Sequence, residues 1–146
     1  MTNRALLLTE TDHRHLSELL EDTRRGRFED TVYIEELERE LGVATVVPGE
    51  EIPEDVVTLH SRVKLKFPNL PRATSVEVVL PLELNLAAGR ISVLSPLGTA
   101  LIGCRAGDEV EYNVRGSLRR ARILSVQYQP EAAEKRRAAK VARGMN

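Results

Sequence analysis

The three histidines, His13, His15 and His60, are the side chains of this sequence best suited to bind a transition metal. A shared site needs imidazoles that converge on one ion. His13 and His15 are two residues apart, so they point to different faces of a helix but to one face of an extended segment. His60 lies in a predicted strand. Solvated surface positions are the favoured interpretation, and we expect no metal site.

Two candidate nucleophiles, Ser95 and Cys104, also lack the surroundings that catalysis requires. Ser95 precedes Pro96 and has no Gly-x-Ser-x-Gly context, the strained turn on which such a nucleophile commonly sits. This order predicts that Ser95 caps a short helix with Pro96 at its first position. Cys104 is the only cysteine, which excludes a disulfide or a Cys-based zinc site within one chain. Since no Gly-rich phosphate loop is present either, we expect no cofactor.

Charge and composition narrow the function classes further. Residues 1–55 hold 6 Lys/Arg and 15 Asp/Glu, whereas residues 56–146 hold 15 and 7, which predicts two modules in different surroundings. Aromatic residues make up 3% and Trp is absent, which argues against a stacking platform for nucleic acid and an aromatic pocket for a small-molecule substrate. Arg119, Arg120, Arg122 and the basic tail fit contact with nucleic acid or an acidic surface. A solvated face is the favoured interpretation, so such contact is expected to be weak.

Residues 1–47 are predicted to form a short antiparallel helical hairpin. Residues 5–9 are ambiguous between an edge strand and an irregular lead-in, and Thr11 or Asp12 is a candidate N-cap. Leucines at helical spacing follow (16, 19 and 20), Gly26 is a candidate stop, and a second apolar stripe runs from Tyr33 to Leu41. Residues 48–55 are rich in Pro, Gly and acids, which predicts a linker. No apolar run approaches the roughly 20 residues that span a bilayer, so we expect a cytoplasmic chain without membrane contact.

Residues 56–130 have the alternation of strands and therefore predict an α+β fold with an antiparallel sheet and one short helix. Val63, Leu65 and Phe67 alternate with cations, residues 75–84 and 90–94 fit further strands, and residues 95–103 fit one or two helical turns. Residues 109–114 and 118–128 predict a closing hairpin. Residues 131–146 are Ala-rich and basic, which predicts a frayed helix or a disordered tail.

The run from Arg90 to Glu111, RISVLSPLGTALIGCRAGDEVE, resembles the C-terminal domain of the GreA/GreB transcript-cleavage factors. The segments IPEDVVTLHSRVK (52–64) and YQPEAA (128–133) are similar to one branch of that family, the Rnk-type regulators of nucleoside diphosphate kinase. The resemblance implies an FKBP-like C-terminal domain carried with a short coiled coil. It also implies that this domain docks on the β′ subunit of RNA polymerase, at the rim of the secondary channel. The docking residues carried over are Ser95, Pro96, Leu97 and Gly98, preceded here by Leu94 where Gre factors often have a polar residue.

The tip of the hairpin is where Gre factors place the Asp and Glu that help to hold a second Mg²⁺ in the polymerase site. Matching Tyr33 to the tyrosine that follows their tip puts Arg27 and Asp30 at the acidic positions. Glu29 and Asp30 remain adjacent acids, but Arg24, Arg25 and Arg27 surround them. Helices of 12–15 residues are also roughly 18–23 Å long, about half the Gre coiled coil. Both features favour channel occupancy without cleavage.

Three hypotheses follow from the resemblance. The favoured one is a regulator that binds RNA polymerase and is not an enzyme. The second is a cleavage-active factor that uses Glu29 and Asp30. The third is an FKBP-type prolyl isomerase, which the scarcity of aromatic residues disfavours.

Overall fold

Two helices flanked by two short strands form the N-terminal part of the fold. The computed structural model describes residues 6–24 and 31–144. Strand β1 (Leu7–Thr9) leads directly into helix α1 (Glu10–Arg24), and helix α2 (Thr31–Val43) leads into strand β2 (Thr45–Val47). β1 and β2 pair in parallel, so they join the start of α1 to the end of α2. The predicted helical hairpin is confirmed, and the ambiguous residues 5–9 contain a strand.

The N-terminus of α1 differs from the prediction that Thr11 or Asp12 caps it. The Thr9 hydroxyl oxygen accepts a hydrogen bond from Asp12 N at 3.0 Å, which is the geometry of a cap at Thr9. The reason is that β1 ends at Thr9 and the helix starts at the next residue. Asp12 is thereby free for a contact outside its own helix.

The C-terminal part is a five-stranded sheet with the order β5-β4-β3-β7-β6. The strands are β3 (Arg62–Lys66), β4 (Thr74–Val79), β5 (Arg90–Ser92), β6 (Glu109–Val114) and β7 (Ser117–Tyr128), with helix α3 (Pro96–Leu101) between β5 and β6. Val63 and Leu65 are fully buried and alternate with the more exposed cations of β3, as their period of two predicts. The predicted α+β fold is confirmed.

One strand departs from the predicted antiparallel order. β5 pairs in parallel with β4, in the register Val78 to Ile91. Parallel neighbours need a crossover rather than a tight hairpin, and residues 80–89 supply it with two 3₁₀ turns, Pro81–Glu83 and Leu86–Ala88. The sheet is therefore mixed, and β5 is directed toward the turn that opens α3.

The closing hairpin of β6 and β7 is confirmed, with Arg115 and Gly116 as its turn. Both residues have positive φ angles, 51° and 82°. A two-residue turn of this kind matches the twist of the strands it joins, and glycine adopts it without steric cost.

Residues beyond the sheet form helix α4 (Pro130–Ala142), so the basic tail is helical along most of its length. Residues 48–55, predicted as a linker, contain a 3₁₀ turn (Gly49–Glu51) and the buried side chain of Ile52. They lie against the base of α4, where Gln129 Nε2 donates to Pro53 O at 2.7 Å. The division into domains at these residues stays a prediction.

A cluster of buried, mostly aliphatic side chains runs through both halves of the chain. It includes Leu16 and Leu37 of the hairpin, Val63 of the sheet, and Leu101 and Ile102 at the end of α3. Burying each such side chain contributes about 1.5–3 kcal/mol. The hairpin is therefore packed against the domain that carries α3.

Glu40 of α2 is a half-buried acid at the edge of this core. Its Oε2 is buried and has no hydrogen-bond partner among residues 6–24 and 31–144. Burial, and then the neighbouring Glu36 carboxylate, raise the pKa of Glu40 to about 7, against a smaller lowering by Arg39. The folded state thus holds this proton to higher pH than the unfolded chain does. Its stabilising contribution is complete below pH 4.5 and is lost as the pH rises through about 7.

We predict that Glu40→Gln raises the free energy of unfolding at pH 8 by about 1 kcal/mol, a value reduced for partial exposure of the carboxyl. The gain should shrink toward pH 4.5, which urea unfolding at the two pH values measures. Glu35→Gln, at an exposed position of the same helix, is the matched control and should change little. An equal effect of Glu40→Gln at both pH values would contradict this assignment.

Candidate docking site

The turn between β5 and α3 is organised around the hydroxyl of Ser95. Ser95 Oγ donates to Ser92 O at 2.6 Å and accepts from Gly98 N at 3.1 Å. Pro96 occupies the first turn of α3, where its missing N–H costs nothing. The predicted capping role of Ser95 is confirmed. The hydroxyl proton is committed to a backbone carbonyl, so this serine has the surroundings of a structural cap rather than of a nucleophile.

Gly98 brings the start of α3 into close approach with β5. A Cβ built at Gly98 would lie 2.0 Å from Ser92 O, which no side chain tolerates. Thr99 adds a second tie, because its buried hydroxyl donates to Val93 O at 2.7 Å. The four predicted docking residues therefore lie on one tightly packed turn. Ser95 stabilises it through hydrogen bonds, and Gly98 permits the close approach of its backbone.

The accessible part of this turn is mostly apolar. Leu94, Pro96 and Leu97 are half-buried, and the two leucines pack on the core at their inner sides. Leu94 N donates to Ser92 Oγ at 3.0 Å, which fixes the residue that precedes the Ser-Pro pair. The turn presents aliphatic surface and backbone groups, so its geometry suits binding to another surface.

The predicted tip residues fall outside, or at the edge of, the described part of the chain. Arg25, Arg27, Glu29 and Asp30 lie outside the described residues, and Arg24 is described only as the last residue of α1. The role of these residues in holding or excluding Mg²⁺ stays a prediction.

His13 and His15 both lie on α1, whereas His60 occupies a separate place in the fold. His13 Nε2 lies 3.2 Å from Leu41 O and so links α1 to α2. His60 is not in a strand as predicted, since its φ of 70° places it in a turn before β3, where its Nε2 lies 2.8 Å from Glu83 Oε1. In the part of the chain that the structure describes, no three His, Cys, Asp or Glu side chains form a metal-binding group. Cys104 is buried, and its thiol donates to Ala100 O at 3.3 Å.

A polar junction between the hairpin, the sheet and α4 was not predicted from the sequence. The carboxylate of Asp12 accepts from Leu59 N at 2.9 Å, and Glu131 accepts from the hydroxyl of Thr58 at 2.7 Å. Thr58 N donates in turn to Ser61 Oγ at 2.8 Å. Burial raises the pKa of Asp12 to about 6, with the Leu59 hydrogen bond opposing and the Glu131 carboxylate adding to the shift. The sequence feature nearest to this junction is Asp12, an acid near the start of α1 that was expected to cap the helix and does not.

Comparisons with known proteins agree with this architecture. The family described as "Transcription elongation factor, GreA/GreB, C-term" matches residues 52–128. The regulator of nucleoside diphosphate kinase of Escherichia coli K12 is 30% identical over 134 residues, which cover 91% of this chain and 96% of that one. GreA of Syntrophus aciditrophicus strain SB is 29% identical, over 81% of this chain and 74% of its own.

A solved GreA/GreB structure from Nitrosomonas europaea is 34% identical and superposes with a TM-score of 0.70, covering 84% of this chain and 99% of that one. None of the described helices is both long and apolar enough to cross a membrane. The turn at Ser95 lies inside the matched C-terminal domain, and the helical hairpin precedes that domain in this chain. This chain belongs to the GreA/GreB family of transcription factors, and a Rnk-type regulator is among its relatives.

Proposed function

We propose that this chain binds RNA polymerase at the rim of the secondary channel, on the β′ subunit, through the Ser95–Gly98 turn. The observation that carries the proposal is the turn itself. Its capping hydrogen bonds and the close approach at Gly98 hold Leu94, Pro96 and Leu97 in one fixed arrangement. A preformed apolar surface loses little conformational entropy on binding, which favours recognition of a fixed partner site.

The short hairpin supports occupancy of the channel without transcript cleavage. Helices α1 and α2 have 15 and 13 residues, so each is about 20–23 Å long. Arg27 stands where the family pattern calls for an acid, and a cation at that place disfavours a Mg²⁺ ion. In this proposal the chain acts by competing with other factors for the channel, as a regulator rather than an enzyme.

The docking half of the proposal predicts micromolar binding to immobilised core polymerase and displacement by GreA. Leu97→Asp places a charge on the contact surface and should weaken binding at least tenfold, about 1.4 kcal/mol or more. Leu118→Asp, at an exposed β7 position on another part of the domain, is the matched control and should bind like the wild type. Circular dichroism verifies that both variants fold. Absence of wild-type binding, or equal losses in both variants, would refute docking through this turn.

The second half of the proposal predicts that backtracked elongation complexes supplied with Mg²⁺ and this protein keep their RNA at full length. A GreA reaction run in parallel is the positive control. Shortened RNA that disappears in Asp30→Ala would instead establish the cleavage-active alternative, with tip carboxylates at the polymerase metal site.

A further inference from the structure

Helix α4 stands out because it is exposed along most of its length. Ala132 is buried, whereas the residues from Glu134 to Gly144 are all exposed. The family match ends at residue 128, so α4 follows the docking domain as an additional element. A helix that is exposed on all sides gains little stability from packing. Its outer turns are therefore accessible for contact with another molecule.

The base of α4 is fixed by several buried contacts. Gln129 is 3% exposed, and its Nε2 donates to Pro53 O at 2.7 Å and to Val56 O at 2.9 Å. Glu131 accepts the hydrogen bond from Thr58 at 2.7 Å. The direction in which the helix projects is therefore set by the domain.

The exposed part of α4 is strongly basic on one face. Arg136, Lys140 and Arg143 follow the spacing i, i+4, i+7, which places them along one side of a helix. Arg136 pairs with Glu54 at 2.7 Å near the base. Over the described residues, no carboxylate lies within ion-pair distance of Lys140 or Arg143. Within residues 6–24 and 31–144, the cations at the outer end of the helix thus have no ion-pair partner.

We propose that α4, with its C-cap residue Arg143, is an arm that binds the phosphate backbone of duplex DNA through Lys140 and Arg143 at its outer end. Phosphate contacts need cations and hydrogen-bond donors but no apolar anchor, and Val141 is the one large exposed apolar side chain of this helix. A protein partner would call for aromatic or aliphatic anchors. Single-stranded nucleic acid would call for aromatic faces, which α4 lacks. Duplex DNA, with one negative charge per 1.7 Å of axis, is the complementary surface.

The cations also have a structural effect that the test must separate from binding. Lys140 lies in the last turn, where a positive charge interacts favourably with the helix dipole. Glutamine keeps a helix propensity close to that of lysine and arginine. Lys140→Gln/Arg143→Gln therefore removes two charges with little change of helix content, which circular dichroism checks.

The experiment measures fluorescence anisotropy of a labelled 20-base-pair DNA duplex of mixed sequence with the full chain, at several salt concentrations. The wild type should bind at low salt. In Lys140→Gln/Arg143→Gln the Kd should rise about tenfold, and the slope of log K against log salt should fall by about 2. The control Lys64→Gln/Arg72→Gln makes the same charge change at exposed positions off the helix and should bind like the wild type.

Four outcomes would overturn the proposal. The first two are the absence of DNA binding by the wild type and an equal loss of DNA affinity in the two double variants. The other two are tighter binding of a single-stranded RNA of the same length than of the duplex, and binding of polyglutamate as tight as that of the duplex. The last would assign the arm to an acidic protein surface. Because the assay contains no polymerase, its result is independent of the docking proposed above.

Discussion

Replacing Gly98 with alanine is expected to lower the free energy of unfolding by about 3 kcal/mol, near the upper end for overpacked sites. The added methyl group would meet Ser92 O at 2.0 Å, Ser92 C at 2.9 Å and Ser95 Oγ at 3.0 Å. Two of these atoms belong to the backbone, and the third is held by its own hydrogen bonds to Ser92 and Gly98. Relief therefore requires α3 to move away from β5. Such a movement breaks the Ser95 cap and displaces the leucines of the proposed docking surface.

Urea unfolding and polymerase binding measure the two consequences of Gly98→Ala separately. The control is Gly42→Ala near the end of α2, where an added Cβ meets nothing within 4 Å. Alanine favours helix there, so this variant should gain up to about 1 kcal/mol. Wild-type stability and binding in Gly98→Ala would show that the turn tolerates side chains, and that its close packing does not shape the docking surface.

Local chemistry explains why the sequence predicted the turn at Ser95. A serine followed by proline carries its own capping signal, and the alternation of Val63 and Leu65 carries the period of a strand. Both features depend on neighbours within a few residues. The α+β fold and the capped turn at Ser95 could therefore be predicted from local sequence patterns, whereas the docking role proposed for that turn comes from the resemblance to Gre factors.

Contacts between distant parts of the chain explain the structural features that the sequence did not predict. The parallel pairing of β5 depends on a crossover whose path no local pattern determines, and His60 takes its left-handed conformation in a turn that Glu83 of that crossover contacts. Asp12 and Leu59 are 47 residues apart. An acid near a helix start is ordinarily assigned to the cap, and only the packing of the hairpin on the sheet gives Asp12 a different partner.

Asp12 matters because it joins the two halves of the molecule through a buried hydrogen bond. The residue is 4% exposed, and its carboxylate accepts from Leu59 N at the entrance to the sheet domain. Alanine at this position would leave a buried N–H without an acceptor, at a cost of about 1–3 kcal/mol. Asparagine keeps an oxygen acceptor for the same N–H and removes the charge. The pair of variants therefore separates the hydrogen bond from the ionisation of the carboxyl.

The pH dependence of stability follows from the raised pKa of Asp12. The folded pKa of about 6 lies above the ordinary value of 3.8, so at intermediate pH the folded state binds more protons than the unfolded chain. The contribution of this carboxyl is complete below pH 3.8 and is lost as the pH rises through about 6. The shift corresponds to about 2–3 kcal/mol, which the wild type should lose across this window and Asp12→Asn should not.

Urea unfolding at several pH values between 4 and 8 tests this expectation. Asp12→Asn should exceed the wild type most at the high end, whereas Asp12→Ala should stay about 2 kcal/mol below Asp12→Asn throughout. Glu18→Gln, an exposed acid of the same helix, is the control and should leave the curve of the wild type unchanged. Parallel curves for the wild type and Asp12→Asn would place the titration elsewhere, and Glu40 would then account for the loss of stability near pH 7. The two acids are distinguishable because Glu40 lies on α2, away from the junction that Asp12 forms with Leu59, so Glu40→Gln and Asp12→Asn remove the two titrations separately.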